Sequence, residues 1–170
     1  MTDYTAPLNE MAFLVNDVLG IDDIASLPGY EECSTELVEA IYGEAGRYFA
    51  EIIAPTNQSA DTEGCRVEES AVVTAESLDG LYKGFVEGGW PALSGDPQFE
   101  GQGMPHLVGV AVEEMCQSAN LSFSLLPLLT KGVITAIERY ASDEQKTAYL
   151  PKLISGEWTG TMNLTESQAG

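Results

Sequence analysis

The last thirty residues, ASDEQKTAYLPKLISGEWTGTMNLTESQAG over 141–170, change grammar partway along. Ser142 is placed to cap a short helix through Asp143, Glu144, Gln145 and Lys146 to Leu150, because its hydroxyl can accept from a first-turn backbone N–H. Gly156 stops that helix. Trp158-Thr159-Gly160-Thr161-Met162-Asn163-Leu164-Thr165, rich in threonine and in aromatic or apolar residues, then reads as a strand. The residues before it are written almost wholly in helices, so the expected fold is mainly α with a strand starting at the end.

Working backwards, Leu129, Val133, Ile134 and Ile137 predict a helix across Leu128 to Tyr140. Met104 to Cys116 is apolar apart from His106, Glu113 and Glu114, the composition of a helix buried on most faces. Gly88 to Gly103 holds five glycines with Pro91 and Pro97 and reads as loop. Before it, a helix is expected from a Ser77 cap through Leu78, Leu81, Tyr82, Phe85 and Val86, and Val67 with Ala71 to Thr74 offers a small β element.

The clearest helix follows Ser34, where Leu37, Val38, Ile41, Ala45, Tyr48, Phe49, Ile52 and Ile53 recur at helical spacing. Pro55 ends or kinks it, and Asp61-Thr62-Glu63-Gly64 reads as loop. A shorter helix over Leu8 to Leu19 is closed by Gly20, with a turn at Pro28-Gly29.

The chain carries 27 acidic residues against 7 lysines and arginines, a formal charge of -20. Residues 1–130 hold 22 of the acids against only Arg47, Arg66 and Lys83. Nucleic acid and anionic membrane are disfavoured as partners, since both need clustered cations. The field reads as solvated surface or as steering of a basic partner.

Cys33, Cys65 and Cys116 are odd in number, far apart and without a C-x-x-C pair, so neither a disulfide framework nor a zinc site is expected. The amino terminus lacks the basic start and apolar run of a secretory signal, which makes the cytoplasm the expected location. Leu121 to Ile137 is interrupted by Ser122, Ser124, Pro127, Thr130 and Lys131, too often for the roughly 20-residue apolar run of a bilayer span.

Chemistry is sparse. His106 is the sole histidine and reads as structural or solvated; Cys116 reads as a small core hydrophobe. Gly101-Gln102-Gly103 lacks the third glycine of a dinucleotide fingerprint, and no phosphate-binding G-x-x-x-x-G-K-[ST] exists. Adjacent acids such as Glu31-Glu32, Glu68-Glu69 and Glu113-Glu114 project in different directions and do not make a paired-carboxylate site.

Ordered motifs add what composition does not. Ala141 to Lys146, then Tyr149-Leu150-Pro151-Lys152-Leu153, Gly156-Glu157-Trp158 and Leu164-Thr165-Glu166-Ser167-Gln168-Ala169-Gly170 resemble the acyl-CoA dehydrogenases, with Q-K-x-x-Y-L-P-x-L-x-x-G followed by T-E-P-x-A-G-S-D. Ile52-Ile53-Ala54-Pro55 resembles the end of that family's first long helix, so the likeness covers residues 35–170. Glu63-Gly64-Cys65-Arg66, Gly89-Trp90 and Thr159 to Leu164, with the opening Tyr4 to Pro7, are most similar to its bacterial 3-methylmercaptopropionyl-CoA dehydrogenase branch.

The resemblance implies three parts: an extension over 1–33, the family's amino-terminal helical-bundle domain over 34–157, and the first strand of its middle β domain over 158–170. It also implies an FAD-dependent oxidoreductase of fatty-acid metabolism that dehydrogenates a short or methylthio-substituted acyl-CoA. In that chemistry a glutamate removes the α proton and the β hydrogen leaves as hydride to the flavin. Electrons pass to an electron-transfer flavoprotein, and the full-length enzyme is expected to be a homo-oligomer.

Residue by residue, the resemblance places Met162 and Leu164 along the flavin and the Thr165 hydroxyl on its pyrimidine edge, although strand apolars also serve as core. It makes Phe123, Leu125, Leu126 and Leu129 candidate walls of the acyl pocket, which core packing explains as well. No catalytic residue and no metal ligand is assigned, because the family's glutamate belongs to its last domain, and the 170-residue chain is expected to be inactive alone. Ser167 stands where the family has proline, giving either a looser flavin loop or a neutral replacement. The alternative function is a non-catalytic helical interaction module derived from a truncated relative.

Overall fold

The computed structural model describes residues 4–163 and 165–168, and it is mainly helical. The expected opening helix forms and ends before Gly20. Leu8–Phe13 forms α1 and runs into a π-helical turn at Leu14–Val18, and after Gly20 a short α2 spans Ile21–Ala25. Helix α3, Thr35–Tyr48, starts where Ser34 Oγ accepts from the Leu37 N–H at 3.2 Å and buries Val38, Tyr42, Ala45 and Gly46. It continues as a π-helical turn over Phe49–Ile53, which turns both Phe49 and Ile53 fully inward.

Pro55 breaks this rod as expected, but the next residues are helix rather than loop: α4 spans Thr56–Glu63 and ends at Gly64. A proline at the start of a helix loses no intrahelical bond, which is why Pro55 can begin α4 as readily as it ends α3. The small β element is present as an antiparallel hairpin, β1 (Arg66–Glu68) and β2 (Ala71–Val73), with Val67 opposite Val72. The following helix begins later than the Ser77 reading placed it. Helix α5, Leu81–Glu87, starts after left-handed Gly80, and residues 76–78 form a single 3-10 turn.

Residues 88–103 are loop with two short 3-10 turns, at Trp90–Ala92 and Pro97–Phe99. Helix α6, His106–Ala119, buries Val108, Gly109, Val112, Met115, Cys116 and Ala119. Asn120 turns the corner. Its Oδ1 accepts from the Phe123 N–H at 3.1 Å to cap the next helix, while its Nδ2 donates to Thr56 Oγ1 at 2.9 Å on α4.

That next helix, α7, spans Leu121–Tyr140 without a break at Pro127, seven residues longer than its expected start at Leu128. The correction extends to membrane length. Twenty residues with a mean hydropathy of 1.4 over the most apolar window are long and apolar enough to cross a bilayer, despite the polar interruptions. In this chain α7 instead packs against α6 and α8. Helix α8, Asp143–Ile154, opens with a full capping box between Ser142 and Gln145 and buries Leu150, Leu153 and Ile154.

The core is an aromatic cluster between α3, α5 and α6. Phe49 meets Tyr48 edge-on at 5.4 Å, Trp90 at 5.9 Å and Phe85 at 6.5 Å, and Phe85 meets Phe123 of α7 at 5.7 Å. Tyr82 Oη donates to the Gly156 carbonyl at 3.0 Å and ties α5 to the end of α8. Gly156 sits at φ 81°, and a Cβ there would meet Val86 Cγ2 at 2.7 Å, so glycine is required for that close approach.

The strand expected over 158–165 does not form: among its described residues the chain is irregular after α8. A strand exists by exchanging N–H and C=O bonds with a neighbour, and the described strands β1 and β2 pair only with each other.

Candidate functional site

Helix α7 organises the site because its three faces do three different things. One face, from Ser124 through Leu128, Lys131, Ile134 and Thr135 to Glu138, closes a cleft of about 460 Å3 against α6 and the 82–95 segment. A second, at Thr130, Val133 and Ile137, carries α8 and the tail beyond it. The third points outward and leaves Leu121, Leu125 and Leu126 exposed.

The cleft has the size and apolar character of a small-molecule pocket. Phe49, Phe85, Val112 and Leu153 supply its apolar wall. The Lys131 ammonium donates to the Glu113 carboxylate across the α6–α7 seam, an ion pair only about one-third exposed at each side chain. Ser94 Oγ lies against the α6 backbone at Gly109, where any Cβ would overlap it, and the buried Ser94 hydroxyl and Trp90 indole N–H have no protein partner.

Cys116 and Glu138 of the cleft have shifted pKa values. Burial pushes the Cys116 thiol up to about 12, with the Glu113 charge adding to the effect, so the thiol stays protonated and unreactive. Glu113 is neutralised by Lys131. Glu138 at the rim has its carboxyl raised by burial first and then by Asp96. His106 lines the cleft from the exposed first residue of α6. Among the described residues no group of histidine, cysteine, aspartate and glutamate could hold a metal ion.

The tail leaves α8 under tight control. The Trp158 ring packs on Tyr149 at 6.1 Å, with the Lys152 ammonium 4.6 Å above it, and the Trp158 backbone N–H donates to the Lys152 carbonyl at 2.9 Å. Two residues on, the Gly160 N–H donates to Thr130 Oγ1 at 3.1 Å, laying the chain across α7. Beyond that point Met162 is 60% exposed and Thr165 is exposed. Leu164 lies outside the described residues.

An isoalloxazine needs an apolar surface and a hydrogen-bonding partner for its pyrimidine edge. Met162 and the Thr165 hydroxyl, both uncovered, are of the residue types that could supply these.

The four sequence-derived pocket residues do not line the closed cleft. Phe123 is in the core against Phe85, Leu125 and Leu126 are exposed on the outward face of α7, and Leu129 is half-buried. Helical phase explains this. Cleft positions on α7 are 124, 127, 128, 130, 131, 134, 135, 138 and 139, a band that leaves out 125 and 129. Phe123 is thereby separated from the other three. Sequence reasoning missed Thr130, Lys131 and Glu113, although opposite charges on two otherwise apolar helices were a signal for the last two.

Comparison with known proteins agrees with the geometry. The profile of the acyl-CoA dehydrogenase N-terminal domain matches residues 35–157. A 3-methylmercaptopropionyl-CoA dehydrogenase of Ruegeria pomeroyi is 42% identical over 167 residues, which is 98% of this chain and 28% of that protein. A butyryl-CoA dehydrogenase of Syntrophomonas wolfei is 31% identical over 99% of the chain and 28% of its own length. The mitochondrial isovaleryl-CoA dehydrogenase of Bos taurus is 27% identical over 96% of the chain and 36% of its own. The chain thus spans under a third of the length of the first two relatives.

Proposed function

The chain belongs to the acyl-CoA dehydrogenase family, and on that premise we propose that it forms one wall of a composite site in which FAD and an acyl thioester meet. The observation that carries the reading is the uncovered surface of α7 and the tail: Leu121, Leu125 and Met162 are 58%, 48% and 60% exposed on a domain whose core is otherwise closed. Exposed apolar side chains on a helix face and on the tail beside it are what a docking face would present.

Bound there, FAD supplies the two-electron acceptor that dehydrogenation of the α,β bond requires. Met162 provides an apolar surface for the isoalloxazine, and the Thr165 hydroxyl can bond its pyrimidine edge. Leu125, Leu126 and Leu129 exclude water from the acyl chain, and their outward position fits a pocket completed by further protein. The outward face of α7 presents leucines and Ser122 and no carboxylate, so the base that takes the α proton comes from elsewhere.

The names of the relatives support a short or methylthio-substituted acyl-CoA as substrate. The electrons would go to an electron-transfer flavoprotein, the assembled enzyme would be a homo-oligomer, and its place would be the cytoplasm. Dye reduction driven by short acyl-CoAs tests the reading. The 170-residue chain should give none and the longest product of its gene should turn over. Turnover by the chain alone contradicts it.

The exposed Phe13, Leu14, Val18 and Leu19 beside α1 favour a second reading, a non-catalytic helical interaction module. A monomer on size-exclusion chromatography that binds little hydrophobic dye counts against that module.

A further inference from the structure

Thr130 uses one hydroxyl in two directions. Its Oγ1 donates to the Leu126 carbonyl one turn back at 3.0 Å and accepts from the Gly160 N–H at 3.1 Å. A threonine hydroxyl has a single proton, so committing it to the helix leaves lone pairs free for a donor outside the helix. The residue is 6% exposed, which leaves water little access to the bond.

The tail packs closely on the Val133 side chain at this point. A Cβ at Gly160 would lie 2.5 Å from Val133 Cγ2 and 3.4 Å from Thr130 Cα, so any side chain there would push the segment off α7. Trp158 is clamped just upstream by Tyr149 and Lys152. Among the described residues no hydrogen bond holds Thr161, Met162 or Asn163, which makes Gly160 the last fixed point before them.

We infer that Thr130 is a positioning residue: by holding the Gly160 N–H it fixes where the tail leaves α7 and thereby the point from which the chain sets out toward Met162. This rests on the proposal that Met162 and Thr165 form a flavin wall. Thr130→Val keeps the shape and removes the hydroxyl; Thr130→Ser keeps the hydroxyl.

The first readout is amide hydrogen exchange at Gly160 in this chain, with circular dichroism to verify that both variants fold. Thr130→Val should speed exchange about tenfold, as loss of one ordinary hydrogen bond allows, and Thr130→Ser should match the parent. The second is an FAD titration of the longest gene product, where Thr130→Val should weaken binding by about fivefold to tenfold and shift the bound-flavin spectrum, with Thr130→Ser restoring both. Unchanged Gly160 exchange in Thr130→Val overturns the anchor and leaves the flavin reading standing. Faster exchange with unchanged FAD binding overturns the positioning role. If the unaltered longest product takes up no FAD, the flavin reading falls and takes the positioning role with it.

Discussion

The aromatic core and the outward face of α7 use the same kinds of residue to opposite ends. Phe49, Val108 and Met115 are fully buried between α3, α5 and α6, each touching partners from another helix. Leu121, Leu125 and Leu126 are 58%, 48% and 37% exposed on a helix of equally apolar composition. The first region accounts for the stability of the domain; the second contributes little to it. Apolar periodicity marks both, and only the packing separates a core from a docking face.

The sharpest way to break this comparison is to truncate one residue of each kind. Phe49→Ala should cost about 3–5 kcal/mol in urea unfolding, since it removes the ring at the centre of the cluster and leaves a cavity. A loss under about 1 kcal/mol would mean that the core is not where the stability lies.

High pH probes the same core without mutation. Burial pushes the Cys116 thiol from 9.0 up to about 12 and the Tyr42 phenol from 10.0 up to about 12. In the unfolded chain both ionise earlier, so between about pH 9 and 12 it binds fewer protons than the folded state, and stability falls as pH rises. Below about pH 8 these two groups contribute no slope. Urea midpoints from pH 7.5 to 10.5 check this, and Cys116→Ser should flatten the curve. At pH 8 a thiol reagent should label exposed Cys65 alone, and buried Cys33 and Cys116 only in denaturant.

Asn120→Ala tests the joint between the two regions. It removes the α7 cap and the bond to Thr56, and should cost roughly 2 kcal/mol, again read by urea unfolding. The smallest effect is expected on the outward face. Leu125→Ser should change the stability of this chain by less than about 0.5 kcal/mol, while lowering acyl-CoA affinity in the longest gene product. Destabilisation like that of Phe49→Ala would show that the face is already covered.

Much of the fold was legible where local chemistry decides it. Ser34 and Ser142 cap their helices, the 66–73 hairpin forms, and α6 is the buried helix that its composition announced. Boundaries set by long-range contacts were not. The start of α7 depends on Asn120 reaching Thr56, 64 residues away, and on Phe123 docking onto Phe85, neither of which a local window shows. Helix α4 was hidden behind loop-forming residue types, and the strand expected after Trp158 has no ladder partner among the described residues.

The motif of the last thirty residues pointed to the family. It could not show Thr130 or the Lys131–Glu113 pair, because those depend on the rotational phase of α7 against α6 and the tail. Phase puts Leu125 outward, whereas Phe123, at the start of α7, goes into the core because it docks onto Phe85.

The most direct test of the central claim is an FAD titration, followed by absorbance, of the 170-residue chain beside the longest product of its gene, with a short acyl-CoA added at the end. The account predicts that the chain alone leaves the flavin spectrum unchanged, whereas the longer product shifts it and is bleached by the thioester. Bleaching with the chain alone, or a longer product that ignores flavin, would contradict it.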